Sequence, residues 1–362
     1  MKHPGRVAKI RETISTHGLQ ALLVTRPPNV RYLSGFTADE ASLLILSDLA
    51  WLVSDFRYAL QAEEQAPGFE FLRVRQVTPD LAASITEMGI QALGFEPSHL
   101  TVQQHSDLSQ RLPEVRLTGL PDAVEALRIT KEEGEIVLVR KAARLADDAM
   151  DLLWKSAAPG KTERELALEA EFFIRRSGAD DVAFEVIVAS GPRAAMPHAT
   201  PSDRALEPGD MVIMDLGACC EGYRSDLTRT VAVGEASAIA REIYRVCQDA
   251  QDAGLAELRA GVSCAEVDAA ARAVIERAGY GEYFGHGLGH GVGLEIHEAP
   301  RLSATGDSRI LEAGMVVTVE PAIYRLRLGE FASRTWCSWG RNRARCSVVR
   351  PSPQKYRRCE KL

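Results

Sequence analysis

The chain has no hydrophobic run approaching the roughly 18 residues that a membrane-spanning helix requires, so no contact with a membrane is expected. It also lacks a disulfide framework. Its seven cysteines are odd in number and irregularly spaced, a pattern that argues for a reducing compartment. The adjacent pair Cys219-Cys220 has no spacer of the kind metal-binding cysteine pairs use, and reads as strand or turn thiols. Residues 1–11 are too basic and too poor in apolar residues for a secretory signal. Positive charge is missing overall: the net charge of −7 argues against a nucleic-acid partner. These absences predict a cytoplasmic protein. The chain does have 362 residues, 46% hydrophobic and 26% charged, enough to build two soluble domains with their own cores.

Charge is unevenly distributed. Residues 325–362 hold 11 basic and 2 acidic residues, leaving −16 on the first 324. The same tail carries two of the four tryptophans and three of the seven cysteines, so the composition changes at about residue 325.

In the first half, residues 6–17 read as a short amphipathic helix closed by Gly18. Residues 19–25 form an apolar strand stopped by Pro27-Pro28-Asn29. Strand-like runs follow at 41–46 and 49–54, then a helix at 56–64 and a strand at 69–74. This alternation predicts a non-catalytic α/β layer domain over residues 1–125. His99 and His105 lie in a polar stretch and read as solvated. A long helix over 130–156 marks the domain junction, with Lys131-Glu-Glu-Gly-Glu135 as a charged, solvated face.

The second half is written twice. Thr162-Glu-Arg-Glu165 opens a helix ending at Gly178, and Ser263-Cys-Ala-Glu266 opens one ending at Gly279, at an offset of 101. Each start is a capping box and each end a glycine stop. The run from Leu206 to Asp215 parallels that from Leu311 to Glu320 at an offset of 105, each feeding a strand that ends in a carboxylate. A duplicated α+β unit over residues 126–324 would bring Asp215 and Glu320 together about a pseudo-twofold axis.

Three of the eight histidines, His286, His290 and His297, fall within residues 284–300 among six glycines or prolines. Imidazole is a common metal ligand and proton carrier, and glycine lets backbone lie close to a ligand. The competing reading is a flexible loop with surface histidines. Upstream, Glu221-Gly222 signals a turn that would set Asp215 across a hairpin from Asp226. Two buried carboxylates side by side repel unless a cation neutralises them; otherwise they would pair with Arg224 and Arg229. A site made of Asp215, Asp226, His290 and Glu320 suits Mn²⁺, Co²⁺, Fe²⁺ or Zn²⁺.

Met214-Asp-Leu-Gly217, Ser225-Asp-Leu-Thr-Arg-Thr230, the His286–Glu298 stretch and Thr318-Val-Glu-Pro321 resemble the pita-bread metallopeptidases. Asn29-Val-Arg-Tyr-Leu-Ser-Gly-Phe36 extends the resemblance to the Xaa-Pro branch, aminopeptidase P and prolidase, so that it covers nearly the whole chain. The resemblance implies hydrolysis of the bond before a proline in second position, two divalent ions sharing a hydroxide, and a homodimer. Asp215 would hold one ion, Asp226 would bridge, and His290 and Glu320 would hold the other. Glu320 would relay a proton, His198 would lie on the substrate side, and His297 would stabilise the oxyanion. His286 would sit behind the ligands or in the substrate pocket.

One family element is missing. The bridging Glu expected in a Gly-Gly-Val-Arg-Ile-Glu-Asp strand has no counterpart in Gly329-Glu-Phe-Ala-Ser-Arg-Thr-Trp-Cys-Ser-Trp-Gly340. Codons can be chosen for residues 330–340 that, read one nucleotide earlier, encode Gly-Val-Arg-Ile-Glu-Asp-Met-Val-Leu-Val-Gly. The expectation is a frameshift between about Tyr324 and Gly329, an aberrant basic tail over 325–362, and weakened binding of at least one ion. The rival class is a non-catalytic peptide-binding protein or inactive pseudoenzyme with the same pocket.

Overall fold

The short apolar runs of the first 128 residues assemble one sheet. In the computed structural model, which describes residues 4–305, 309–324 and 347–348, the chain divides into two units, Met1–Arg128 and Ile129–Leu362. The first contains helix α1 (Pro4–Thr16), strand β1 (Ala21–Val24), α2 (Pro27–Ser34), β2 (Ser42–Leu46), β3 (Ala50–Ser54), α3 (Ala59–Gln65), β4 (Glu70–Arg73), α4 (Val77–Glu87), β5 (Ala92–Phe95), α5 (Val102–Arg111), β6 (Arg116–Gly119) and α6 (Glu125–Arg128). The strands form a mixed six-stranded sheet in the order β4-β3-β2-β1-β5-β6. Its core packs Leu23, Leu44, Val53 and Leu93 against Leu81, Ile85 and Leu108 of the helices.

Pro27-Pro28-Asn29 does not simply end a strand; it begins α2. Proline is tolerated in the first turn because its missing N–H would be unpaired there anyway. Glu96 completes this start: its Oε2 accepts from the backbone N–H groups of Thr25 (2.6 Å) and Arg26 (2.8 Å).

The second unit runs through α7 (Glu133–Ser156), α8 (Glu163–Arg176), β7 (Asp181–Val182), β8 (Ile187–Ser190), β9 (Met211–Leu216), β10 (Ala218–Cys220), β11 (Tyr223–Arg224) and β12 (Leu227–Ala232). It continues through α9 (Ala238–Glu257), α10 (Cys264–Arg277), β13 (Gly289–Gly291), β14 (Glu298–Leu302), β15 (Val316–Val317) and β16 (Ser347–Val348). Both capping boxes form, with each hydroxyl accepting from the N3 amide and each N3 carboxylate accepting from the cap amide.

The duplication shows in the backbone. Thr162 bridges Ala205, and Ser263 bridges Ile310, at the same two offsets seen in the sequence. Gly160 N–H donates to Leu206 O and Leu206 N–H to Lys161 O; Gly261, Leu311 and Val262 repeat this pattern. Each half has its own core. One gathers Ala146, Leu153, Leu166, Ile174, Val212 and Met214; the other gathers Cys247, Val267, Ile275, Leu288, Val317 and Ile323.

Two local expectations are corrected. The Lys131–Glu135 run is solvated only in its middle: Glu132, Glu133 and Gly134 are exposed, whereas Lys131 and Glu135 are buried. Lys131 Nζ pairs with Glu298 Oε1 at 2.6 Å, and Glu135 Oε1 accepts from Tyr223 Oη at 2.8 Å. Nor does Asp215 lie directly across from Asp226. In the β9–β12 ladder Asp215 faces Thr228, and Leu216 faces Leu227. The chain passes at Gly217 into the sheet of β10 and β11 without changing register, since Cys219 faces Arg224 and Cys220 faces Tyr223. A turn centred on Glu221-Gly222 therefore leaves the two acids offset diagonally. The 325–362 tail, on which the expected frameshift falls, lies outside the described residues apart from the strand β16.

Candidate active site

A cavity of about 290 Å³ in the second unit collects acids and imidazoles from four separate places in the chain. β9 supplies Asp215, the approach to β12 supplies Asp226, β13 supplies His290, and the segment after β15 supplies Glu320. His198 and His297 line the same space, and Phe184, Ile187, Pro201 and Ile296 give it apolar wall.

Within the cavity Asp226, His290 and Glu320 converge, each offering one donor atom within 4.8 Å of the others. His290 Nε2 stands 3.0 Å from Glu320 Oε1 and 3.4 Å from Asp226 Oδ2. Its other nitrogen, Nδ1, is 3.0 Å from Gly291 O, which fixes the proton on Nδ1 and leaves the Nε2 lone pair facing the acids when a cation is bound. Thr318 Oγ1 donates to Glu320 Oε1 (2.6 Å) and orients that carboxylate. Asp215 is buried in the same lining but is not one of the converging three among the described residues.

The electrostatics show that the cluster favours a positive charge. Burial pushes the Asp226 carboxyl above its usual range, and Glu320 adds to this, although His290 opposes it. Burial alone would lower the His290 pKa, yet its bonds to Asp226 and Glu320 carry it up to about 11. A proton on Nε2 thus takes the place of a cation between two carboxylates. Two oxygens and one imidazole nitrogen are the donor set of a borderline divalent metal, so these residues fit such an ion.

The glycines around His290 are there for space. A Cβ on Gly289 would overlap the Thr318 carbonyl oxygen, and one on Gly291 the Ala299 carbonyl oxygen. The β14 and β15 backbones approach β13 that closely, and only glycine admits them. Around His290 the stretch is therefore a short packed strand, Gly289–Gly291.

The remaining histidines separate. The His297 ring lies 4.3 Å from that of His290. It is exposed at the rim, but its desolvated side and the nearby His290 charge hold its pKa below the usual value, so it is neutral near pH 7. His198 is exposed and lines the same cavity. His286 is not among the lining residues: its Nε2 is 2.9 Å from Tyr324 Oη, and its ring packs edge-on against Phe284. Arg224 donates to the Ala183 and Leu294 carbonyls.

Three contributions escape the sequence reading: the apolar wall at Phe184 and Ile187, the hydroxyl of Thr318, which lies in the Thr318–Pro321 motif but has no role assigned there, and the buried Glu163 within the α8 capping box. Their roles depend on contacts between distant segments.

An acid–imidazole centre at the junction of two duplicated α+β halves, each with its own core, defines a metal-dependent hydrolase of the pita-bread type. Residues 137–346 match Metallopeptidase family M24, and residues 6–130 match the Creatinase/Prolidase N-terminal domain. The chain belongs to metallopeptidase family M24. It is 42% identical over 323 residues to the uncharacterized peptidase YqhT of Bacillus subtilis, covering 88% of this chain and 90% of that one. It is 37% identical to the Xaa-Pro dipeptidase of Pyrococcus horikoshii, covering 90% and 91%. The solved Xaa-Pro dipeptidase from Bacillus anthracis superposes with a TM-score of 0.88 at 39% identity, over 92% and 93% of the two chains. The prolidase from Pyrococcus furiosus gives 0.84 at 32% identity, over 94% and 96%.

Proposed function

We propose that this protein is an Xaa-Pro peptidase, cleaving the peptide bond between an N-terminal residue and a following proline. The observation that carries the reading is the convergence of Asp226, His290 and Glu320 in a cavity with an apolar wall, in a chain whose relatives include proteins named Xaa-Pro dipeptidase and prolidase. Asp215 would hold one divalent ion, Asp226 would bridge, and His290 and Glu320 would hold a second, with Mn²⁺ first and Co²⁺, Zn²⁺ or Fe²⁺ as alternatives. When bound, such ions polarise a carbonyl and acidify water.

The chain's own residues divide the rest of the work. Glu320, held by Thr318, takes up a proton and returns it to the departing nitrogen. Neutral His297 donates a hydrogen bond to the oxygen on which charge develops. His198, exposed in the cavity lining, positions the substrate carbonyl. No helix among the described residues is long and apolar enough to cross a membrane. The reading is completed by a peptide substrate, a homodimer and a cytoplasmic setting.

The missing bridging Glu has its own consequence. The chain as written should hold one ion tightly and the other weakly, and the frame-restored chain should hold both. Calorimetric titration of Mn²⁺ into each, with hydrolysis of a dipeptide such as Ala-Pro followed in parallel, tests this. The expected result is metal-dependent cleavage that is faster in the restored chain and lost with His290→Ala. Two tight sites and rapid cleavage in the chain as written would refute the impairment. No cleavage by either chain at any Mn²⁺ concentration would refute the peptidase reading.

A further inference from the structure

The segment 191–202 displays His198, Ala199, Thr200 and Pro201 to the cavity, and its only regular structure is the one 3-10 turn Gly191–Ala195. A loop of this kind does not hold an imidazole still by itself. Under it lies Glu163, the first residue of α8, whose side chain is fully enclosed. Its two oxygens are aimed at the two ends of the loop. Oε1 accepts from Ser190 N–H at 2.8 Å and from Ser190 Oγ at 2.7 Å. Oε2 accepts from Ser202 N–H at 3.0 Å and from Ser202 Oγ at 2.6 Å. Oε2 also takes Arg193 Nε at 2.9 Å, and Arg193 Nη2 reaches on to the Thr200 carbonyl, just past His198.

One carboxylate thus closes the loop at its base and, through Arg193, across its middle. The helix start reinforces the clamp, since Glu163 N–H donates to Arg204 O and Arg164 N–H to Ser202 O. Burial alone would push Glu163 toward protonation; its bonds from the two serines outweigh this and hold it ionised. A helix-start acid needed only for capping would face solvent, as Glu165 does. Glu163 is turned inward and satisfies five donors instead.

We propose that Glu163 is a positioning residue for the reaction, fixing the span of the 190–202 loop so that His198 meets the substrate. This rests on the peptidase reading above. Glu163→Gln keeps the shape but replaces one acceptor with an N–H₂ group, which must face the donors of one loop end. A displacement of about 1 Å at a positioning group costs up to roughly 100-fold in rate, so a fall in kcat/KM of about 10- to 100-fold is expected.

The experiment is a double-mutant cycle on the Mn²⁺-loaded full chain, combining Glu163→Gln with His198→Ala and including Ser202→Ala as a milder cut of the same clamp. Hydrogen exchange of 190–202 is measured on all of them. If Glu163 acts through His198, its substitution slows cleavage strongly in the wild type but less than about twofold once His198 is gone. Exchange rises in 190–202 and not in β13. Ser202→Ala gives a smaller change in the same direction. Losses that multiply in the double variant, or exchange that rises evenly through the second unit, overturn the proposal and leave Glu163 as a fold residue. If neither the wild type nor the frame-restored chain cleaves Xaa-Pro peptides, the peptidase reading has failed. The exchange pattern then decides the clamp alone: a selective rise supports it and an unchanged loop overturns it.

Discussion

Replacing Lys131 with methionine tests how much of the second unit hangs on one buried ion pair. The Lys131 side chain is 1% exposed and that of Glu298 8%, and Nζ and Oε1 are 2.6 Å apart. Lys131 Nζ also donates to Ile129 O at 3.3 Å, and its backbone N–H donates to Gly314 O. Methionine fills a similar volume, so the loss is electrostatic rather than a cavity. Removing one partner of a buried pair leaves a desolvated charge and costs about 3–5 kcal/mol. Glu298 has further contacts in the fold, which favours the lower end, about 3 kcal/mol. For a unit of this size that corresponds to a fall in Tm of about 6–12 °C.

Thermal unfolding followed by circular dichroism, under one buffer and one metal concentration, measures the change. Lys131→Met/Glu298→Leu should recover a large part of the loss, because replacing both charges removes the desolvation cost. Lys131→Met within about 1 kcal/mol of wild type, together with an additive double variant, would refute the reasoning and make the pair a solvated contact.

Gly217→Ala should be far more damaging than Gly285→Ala, although only Gly285 lies in the glycine-rich stretch. A Cβ on Gly217 would overlap the Ser225 carbonyl oxygen and meet Ala183 Cβ at 2.8 Å, whereas nothing lies within 4 Å of one on Gly285. The expected losses are about 3 kcal/mol or more for the first and about 0.5 kcal/mol or less for the second, read from urea unfolding; equal losses would contradict the packing described. Glu163 also predicts a pH dependence. Its folded pKa lies below the ordinary 4.5, so its contribution to stability is full above 4.5 and is lost as the pH falls through the folded value. Glu163→Gln should be less stable than wild type at pH 6 and should converge with it on acidification, as denaturation at pH steps from 6 to 3 would show; a constant gap would argue that the carboxylate is not ionised in the fold.

Much of the site can be read from the residues themselves. His290 sits between two glycines, and Asp215, Asp226 and Glu320 end or begin apolar runs. Such local patterns state which chemistry the chain carries. The duplication is equally legible, because capping boxes and glycine stops are short-range features that each half must repeat to fold the same way. The relative placement of these parts is not local. The hairpin keeps one register from its tip, where Cys220 faces Tyr223, to β9, where Asp215 faces Thr228, so Asp226 stands two residues short of the position opposite Asp215. His286 has the same neighbourhood in sequence as His290, yet it turns to Tyr324, 38 residues away.

Composition, caps and ligand-type residues with their order along the chain were thus determined by the sequence alone, since each depends on a residue and its few neighbours. Whether a charge is solvated or buried was decided only by the tertiary structure. Lys131 and Glu298 are 167 residues apart, and Glu163 and Ser202 are 39 apart. Desolvation is set by whatever atoms surround a group in space, and these come from segments that the local sequence does not name.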